Sequence, residues 1–358
     1  MLKQDNLVFR FHGKPTPSLD ALAQKLRKVL EAHGYHYSRI SRSPRLVLNF
    51  ISNDAVKSYR RKAQATFVLS LLEASEVSQD PIRAWYPYLV RALSNMLLVY
   101  IPGIQAHFLT LDLGHFVESE GEGFAERLFK RINPMASSVL VVNNRFEQDL
   151  EPELWEGDEL TRALSAAGCK LGEWSLLPAA FPIEEILSAE DFRHVKRLYG
   201  IGGLSYGNLS VRKDGSRFWM SASGVDKSKL REIGREILLV KDYDPLENAI
   251  VLSVPPSVEP RRVSVDAIEH LMIYRAHPEV GAIIHVHAWM QGVPTTQFQY
   301  PCGTYQLGQA VAEKVRQSPD PASAVVGLKN HGLTVTGRNL AHILDRIDGK
   351  LIKQVPME

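Results

Sequence analysis

The chain has 358 residues, enough for two domains or one large one, and its 45% hydrophobic and 23% charged residues suit a water-soluble protein with ample core. Its 42 basic and 40 acidic residues leave a net charge of +2, which offers no electrostatic footprint for nucleic acid or an anionic membrane. The two cysteines, Cys169 and Cys302, stand far apart with no CxxC pair, which argues against a disulfide framework and fits a reducing compartment.

The N-terminus, MLKQDNLVFRFHGK, has no apolar run suited to a signal peptide. No stretch approaches the roughly 20 apolar residues of a membrane span, so a cytoplasmic enzyme or binding protein is expected. Leu7–Phe11 reads as a strand, and Leu19–Leu30 as an amphipathic helix with Ser18 as a candidate N-cap. His33 and His36 bracket Gly34-Tyr35 just past that helix, with no third ligand nearby, which reads as a surface loop. Arg45–Ile51 and Thr66–Leu72 are apolar, β-branched runs, although the second equally suits the start of a helix. The short basic run Arg60-Arg61-Lys62 reads as a solvated helix end or loop. Pro81 stands where a helix begins, with apolar spacing running on toward Leu98. The run His107–Leu111, a helix pattern over Gly123–Arg131 and a strand over Ser138–Val142 complete an α/β half.

A boundary is expected around 176–184, where LLPAAFPIE sets two prolines between helical patterns. It separates an α/β domain over 1–180 from a second domain over 181–358. Ser188 precedes a helix over Ala189–Leu198, acidic at its start and basic toward its end, an order that complements the helix dipole. Glycine-punctuated strands follow, marked by Gly200, Gly202, Gly203, Gly207, Gly215 and Gly224.

The strongest chemical signal is VGAIIHVHAW, Val280–Trp289. It reads as a buried strand emerging at a site, and residues two apart on a strand share a face, so His285 and His287 can converge on one ion. Taken alone, two such histidines are bystanders as readily as ligands. His331 sits in AVVGLKNHGLTVTG, where one strand-like run breaks at Asn330-His331-Gly332 and another follows. A turn there can aim an imidazole at the sheet end, with Gly332 relieving the backbone. Asp266 precedes His285 by 19 residues, ahead of a helix pattern over Ile268–Ala276. Ser264 or Asp266 can cap that helix, with Glu269 in its first turn, and capping alone accounts for both. Gly207-Asn208-Leu209-Ser210 and Ser221-Ala222-Ser223-Gly224 place amide, hydroxyl and glycine positions at strand ends, suited to a phosphate or carboxylate.

In order, GNLSVR, SASG, SVDAIEHLMIYRAHPEVGAIIHVHA and KNHGLTVTG resemble the consecutive motifs of class II aldolase/adducin domains, a family that includes fuculose phosphate aldolase and ribulose phosphate 4-epimerase. The resemblance covers roughly residues 185–345, and its most specific part is the fixed distance from the acidic residue through Tyr274 to His-x-His. It implies an α/β/α layered C-terminal domain with a central, largely antiparallel sheet, preceded by a separate N-terminal α/β domain of unknown role. It makes His285, His287 and His331 ligands of a divalent metal, zinc first, with iron or manganese as alternatives. Three neutral imidazoles with open coordination suit catalysis rather than a closed structural site. Asp266 matches the acid/base position, and Asn208, Ser223, Gly224 and Ser264 match positions that hold a substrate phosphate.

The activity so implied is an aldolase-type lyase acting on a hydroxy-carbonyl compound through a metal-stabilised enediolate. A sugar-phosphate 4-epimerase, an iron-dependent oxygenase and a non-catalytic adducin-like domain are the alternatives on this fold. The family also implies a homo-oligomer, tetramer before dimer. Two departures stand out, the first with a competing position beside it. Aldolases of the family usually carry Glu at the acidic position, and Asp is more like the 4-epimerase. Glu259 also imitates the signature around that position, but using it needs seven extra residues before Tyr274. No tyrosine follows His331, so Tyr300 or Tyr305, near Cys302, would have to replace the family's tail tyrosine.

Overall fold

A computed structural model of the chain describes residues 7–62, 66–111, 114–177, 183–193, 207–353 and 355–356. Its backbone packs as two units: Met1–Ser138 with Phe181–Gly202, and Val139–Ala180 with Gly203–Pro356.

The first unit runs β1 (Val8–His12), α1 (Pro17–Ala32), β2 (His36–Tyr37), β3 (Leu46–Phe50), β4 (Phe67–Glu73), α2 (Pro81–Arg91), β5 (Met96–Ile101), β6 (Gln105–Thr110), β7 (His115–Ser119) and α3 (Phe124–Ala136). The sheet order is β2-β1-β3-β4-β5-β6-β7. Neighbours are parallel as far as β5 and antiparallel beyond it. Strands β3, β4 and β5 are the apolar runs LVLNF, FVLSLLE and MLLVYI, buried along nearly their whole length. That is the composition expected of parallel strands covered on both faces. Side chains of α1 and α3 form the core on one face. Those of α2, joined by Ile183 and Leu187, form it on the other.

Local chemistry moves several boundaries. The cap of α1 is Thr16, not Ser18: its hydroxyl accepts from Leu19 N, and Pro17 takes the first helical position. Helix α2 stops at Arg91 instead of running toward Leu98, because Leu93 turns the backbone at φ 54° and β5 follows. His33 caps the end of α1 and stacks on Phe129 at 4.1 Å, while His36 opens β2.

The second unit comprises β8 (Asn143–Glu147), α4 (Glu159–Glu173), β9 (Asn208–Asp214), β10 (Arg217–Ser221), β11 (Ile237–Asp244), β12 (Ala249–Ser253), α5 (Ala267–Ala276), β13 (Ala282–Val286), α6 (Tyr305–Arg316), β14 (Val325–Leu328), β15 (Gly332–Gly337) and α7 (Leu340–Ile347). Its eight strands lie in the order β14-β15-β13-β9-β10-β11-β12-β8. Every pairing is antiparallel except β12–β8, so the central sheet is largely antiparallel, as expected. The strand expected over Ser138–Val142 lies at Asn143–Glu147 instead. The earlier residues are committed to a loop, where Val139 N donates to Gln306 Oε1 at 2.7 Å and Val141 N to Gly303 O at 2.7 Å.

The packing also divides the chain differently from a single break at 176–184. Residues 139–177 belong with the second unit because β8 pairs with β12, Asn143 opposite Ala249, and α4 buries Leu164 and Leu171 in that unit's core. Residues 183–193 belong with the first: Ile183 and Leu187 enter its core, and Asp191 takes both arms of the Arg91 guanidinium at 2.9 and 2.7 Å. Of the helix expected over Ala189–Leu198, residues 189–193 are helical and the remainder lies outside the described residues, as do Gly200, Gly202 and Gly203. Among the described residues no helix is long and apolar enough to cross a membrane.

Candidate metal centre

Strand β13 carries the first histidine because AIIHV is buried throughout, and this central position in the sheet fixes its alternation. His285 is 1% exposed and lies opposite Asn208 of β9 on one side and Thr334 of β15 on the other. Directly opposed residues of antiparallel strands share a face, so these three side chains project together. His287 follows just past the strand end and is partly buried. His331 occupies the turn between β14 and β15, where Asn330 takes φ 57°. Two glycines let the flanking chains close on β13. A Cβ on Gly207 would lie 2.4 Å from His285 O, and one on Gly332 would lie 2.3 Å from Val286 O.

The three imidazoles come together as a group, each offering a nitrogen within 4.8 Å of the others. His287 Nε2 and His331 Nε2 are 3.2 Å apart, close to the roughly 3.3 Å between two nitrogens on one tetrahedral ion at ~2.0–2.1 Å. His285 Nδ1 is engaged with Leu333 O at 3.0 Å, which leaves its buried Nε2 as the nitrogen without a partner among the described residues. A backbone carbonyl on the far nitrogen is the arrangement that fixes a ligating histidine's tautomer. Burial, followed by the His331 imidazole, lowers the His285 pKa to about 4, and burial also holds His287 well below its ordinary value. Both are therefore neutral, the ligating form. The donor set fits a divalent cation with open positions.

Helix α5 covers this face of the sheet, and its buried side is polar. Asp266 stands at the N-cap position but makes no capping bond; its Oδ2 instead accepts from Asn208 Nδ2 at 2.8 Å. Glu269 Oε1 accepts from the Thr334 hydroxyl at 2.6 Å. His270 Nδ1 and the Tyr274 hydroxyl both meet the Ser210 hydroxyl, at 2.7 and 2.8 Å. Among the described residues, five buried polar atoms of this layer have no protein partner: Asn208 Oδ1, Asp266 Oδ1, Glu269 Oε2, His270 Nε2 and His285 Nε2. Buried polar atoms are nearly always satisfied in folded proteins, so this concentration marks a place built to receive other atoms.

Electrostatics agree with that geometry. Burial, and then the Asp266 carboxylate, push the Glu269 carboxyl up to about 8. Burial lowers His270 to about 3, so its imidazole is neutral. Lys227, 5% exposed, lies on the short turn Lys227–Lys229; burial lowers it to about 8 while Asp266 and Asp226 draw it back up. Its charge is also felt by His285 and His287.

Of the proposed anion-holding positions, Asn208 lies beside His285 and is already engaged with Asp266. Ser223 and Ser264 fall on adjoining segments: Ala222 bridges Val263, Ser223 N donates to Arg262 O at 2.9 Å, and Ser264 N to Ser221 O at 3.2 Å. Gly224, next to Ser223, is exposed. Glu259 is exposed and lines a separate cleft with Trp155, Arg231 and Arg235. Tyr305 packs on Tyr243 and Tyr300 on Phe298, whereas Cys302 Sγ lies 3.4 Å from both ring nitrogens of His331.

Sequence reasoning passed over His270, Lys227 and Thr334, and took Glu269 only as a first-turn residue beside a cap. For Glu269 and His270 a signal existed: Asp266, Glu269, His270 and Tyr274 follow helical spacing inside an otherwise apolar run. Lys227 and Thr334 carry none.

Glu269 makes a stability prediction. Its folded-state value lies above the ordinary one, so its contribution is fully present below about pH 4.5 and is lost as pH rises through about 8. Over that window the metal-free wild-type chain should lose stability relative to Glu269→Gln, whose amide cannot ionise. Calorimetric midpoints of the two chains that run parallel from about pH 5 to 8 would contradict this.

Residues 189–348 match the family described as the Class II Aldolase and Adducin N-terminal domain. The chain is similar to methylthioribulose-1-phosphate dehydratase of Cronobacter sakazakii, 35% identical over 81 residues, or 23% of this chain and 36% of that protein. The protein of the same name from Xanthomonas campestris pv. campestris (strain B100) is 31% identical over 86 residues, 24% of this chain and 34% of that protein. The chain thus spans between 34% and 36% of the length of these two curated relatives. Among solved structures, it is similar to l-fuculose-1-phosphate aldolase from Thermus thermophilus, with 19% identity and a TM-score of 0.34 over 52% of this chain and 86% of that one.

Proposed function

Since the C-terminal part of the chain carries a class II aldolase domain, matched over residues 189–348, we propose that the chain is a metal-dependent lyase acting on a small hydroxy-carbonyl compound, with His285, His287 and His331 holding the cation. The observation that carries this reading is the three-imidazole cluster, together with a buried carboxylate that has one oxygen without a partner among the described residues. A divalent cation there, zinc first, would supply Lewis-acid polarisation of the substrate's carbonyl and neighbouring hydroxyl oxygens.

The chain's own residues do the rest. Asn208 holds Asp266 by Oδ2 and leaves Oδ1 to take or return a proton. Leu333 O fixes the His285 ring. The Ser223 and Ser264 hydroxyls offer donors to an anionic group on the substrate. Moving a proton to or from the carbon beside a polarised carbonyl serves cleavage of a C–C bond, where that carbon is protonated after the β-hydroxyl has lost its proton, the aldolase-type reading. It equally serves expulsion of a β-hydroxyl as water, which the relatives named as dehydratases favour as the second reading.

The test is a panel of hydroxy-carbonyl compounds, with and without phosphate, given to the zinc-loaded full-length chain. Two fragments report C–C cleavage, and a single product lighter by one water reports elimination. Equal turnover after the metal is stripped, or none with the metal bound stoichiometrically, would defeat the proposal.

A further inference from the structure

The pairing of β13 with β15 ends at Val286, opposite Leu333, so His287 lies beyond the last rung of that ladder. The segment after it turns back and runs parallel to β14, toward His331. Gly327 N donates to Pro294 O at 2.8 Å, Thr296 N to Gly327 O at 2.9 Å, and Lys329 N to the Thr296 hydroxyl at 3.1 Å. One residue before His331, Asn330 Nδ2 donates to Gln299 Oε1 at 3.2 Å. Between His287 and this segment stands Trp289, whose indole lies so close to β14 that a Cβ on Gly327 would be 2.5 Å from Cη2. One loop thus leads from His287 to the neighbour of His331, and Trp289 is wedged at its start.

Trp289 is gripped from the other side by residues after α7. Leu351 packs on the core of the second unit. Next to it, Ile352 and Trp289 exchange both backbone hydrogen bonds: Trp289 N donates to Ile352 O at 2.7 Å, and Ile352 N to Trp289 O at 2.8 Å. The Ile352 side chain is 44% exposed, so this residue acts on Trp289 through its backbone. We propose that Trp289 and Ile352 are positioning residues of the metal centre. Their backbone latch fixes the path of the loop as it leaves β13, and with it the reach of His287 toward His331, whose Nε2 atoms stand 3.2 Å apart. The proposal rests on the reading of the three imidazoles as metal ligands, since the latch acts on the ion only through His287.

The test compares two variants of the full-length chain: Ile352→Pro, which deletes the N–H given to Trp289 O, and Ile352→Ala, which keeps it. Zinc affinity is measured by competition with a chelator, and the visible absorption of the cobalt(II)-loaded chain reports the geometry around the ion. Ile352→Pro should weaken zinc binding by about 10–100-fold, the worth of groups that orient a ligating histidine, and should alter the cobalt spectrum. Ile352→Ala should match the wild type in both. Trp289→Ala should weaken zinc binding in the same way and Trp289→Phe should recover most of it, a comparison that stands even if Ile352→Pro fails to fold. Wild-type affinity in Ile352→Pro or in Trp289→Ala overturns the proposal, as does an equal loss in Ile352→Ala. A wild-type chain that binds no zinc, or His287→Ala that binds it as tightly, defeats the metal reading and the proposal with it. That result is distinct from a tightly bound ion that ignores the latch, which defeats the proposal alone.

Discussion

Replacing His287 by alanine should leave the full-length chain folded and weaken its affinity for zinc by orders of magnitude. His287 is the variant to choose because its side chain is partly buried and lies just beyond the end of β13, whereas His285 is sunk in the middle of the sheet. The remaining imidazoles, His285 and His331, would offer two protein donors to an ion that takes three at a catalytic site. Because ligation energy is what holds the ion against water, removing one donor acts directly on affinity. Elemental analysis after dialysis, paired with a competition titration against a chelator, measures the effect. Full occupancy in His287→Ala would remove this residue from the ligand set.

Asp266→Asn should reduce turnover by roughly 10²–10⁴-fold, the worth of a positioned acid/base, with little change in metal content or thermal midpoint. The substitution is mild for a structural reason. Asp266 makes no capping bond to α5, so no cap is lost, and the amide oxygen of Asn can still accept from Asn208 Nδ2. What disappears is the proton-accepting oxygen at Oδ1. Glu259→Gln is the control: that residue is exposed in a separate cleft and should leave the rate unchanged. Wild-type rates in Asp266→Asn would exclude it from the mechanism, and metal loss in parallel with activity would give the carboxylate a different role.

The grouping of the three histidines and the place of Asp266 at the start of α5 were legible because their spacings are local. His-x-His on a strand and a histidine at a turn followed by glycine each need only a few residues of context, and the 19 residues from Asp266 to His285 contain one helix and the strand. The polar layer under α5 was not legible, because Glu269 acquires its meaning from Thr334, 65 positions away on β15. Lys227 reads as one of several lysines in a polar turn until the fold buries it beside Asp266. In the first half, the strands β3 and β4 were visible as apolar runs, while β7, HFVES, alternates buried and exposed in only five residues and passes unnoticed. Capping alone also accounted for Asp266 from its local sequence, and the structure turns its side chain toward Asn208 instead.

The two-part make-up of the second unit bears on the order in which a ribosome delivers it. Strand β8 and helix α4 emerge early, yet β8 finds its ladder partner in β12, far later in the chain, with Asn143 in register with Ala249. Helix α4 likewise must wait for the turn at Lys227 and for β9 before its Leu164 and Leu171 are covered. Meanwhile the first unit lacks Ile183 and Leu187 until the chain has passed through α4. Neither unit can be finished before the next begins, so vectorial synthesis leaves apolar surface waiting in both, the condition under which nascent chains rely on chaperones. A piece cut to residues 189–348 would lack β8, and the edge of β12 would stand open to pair with another chain.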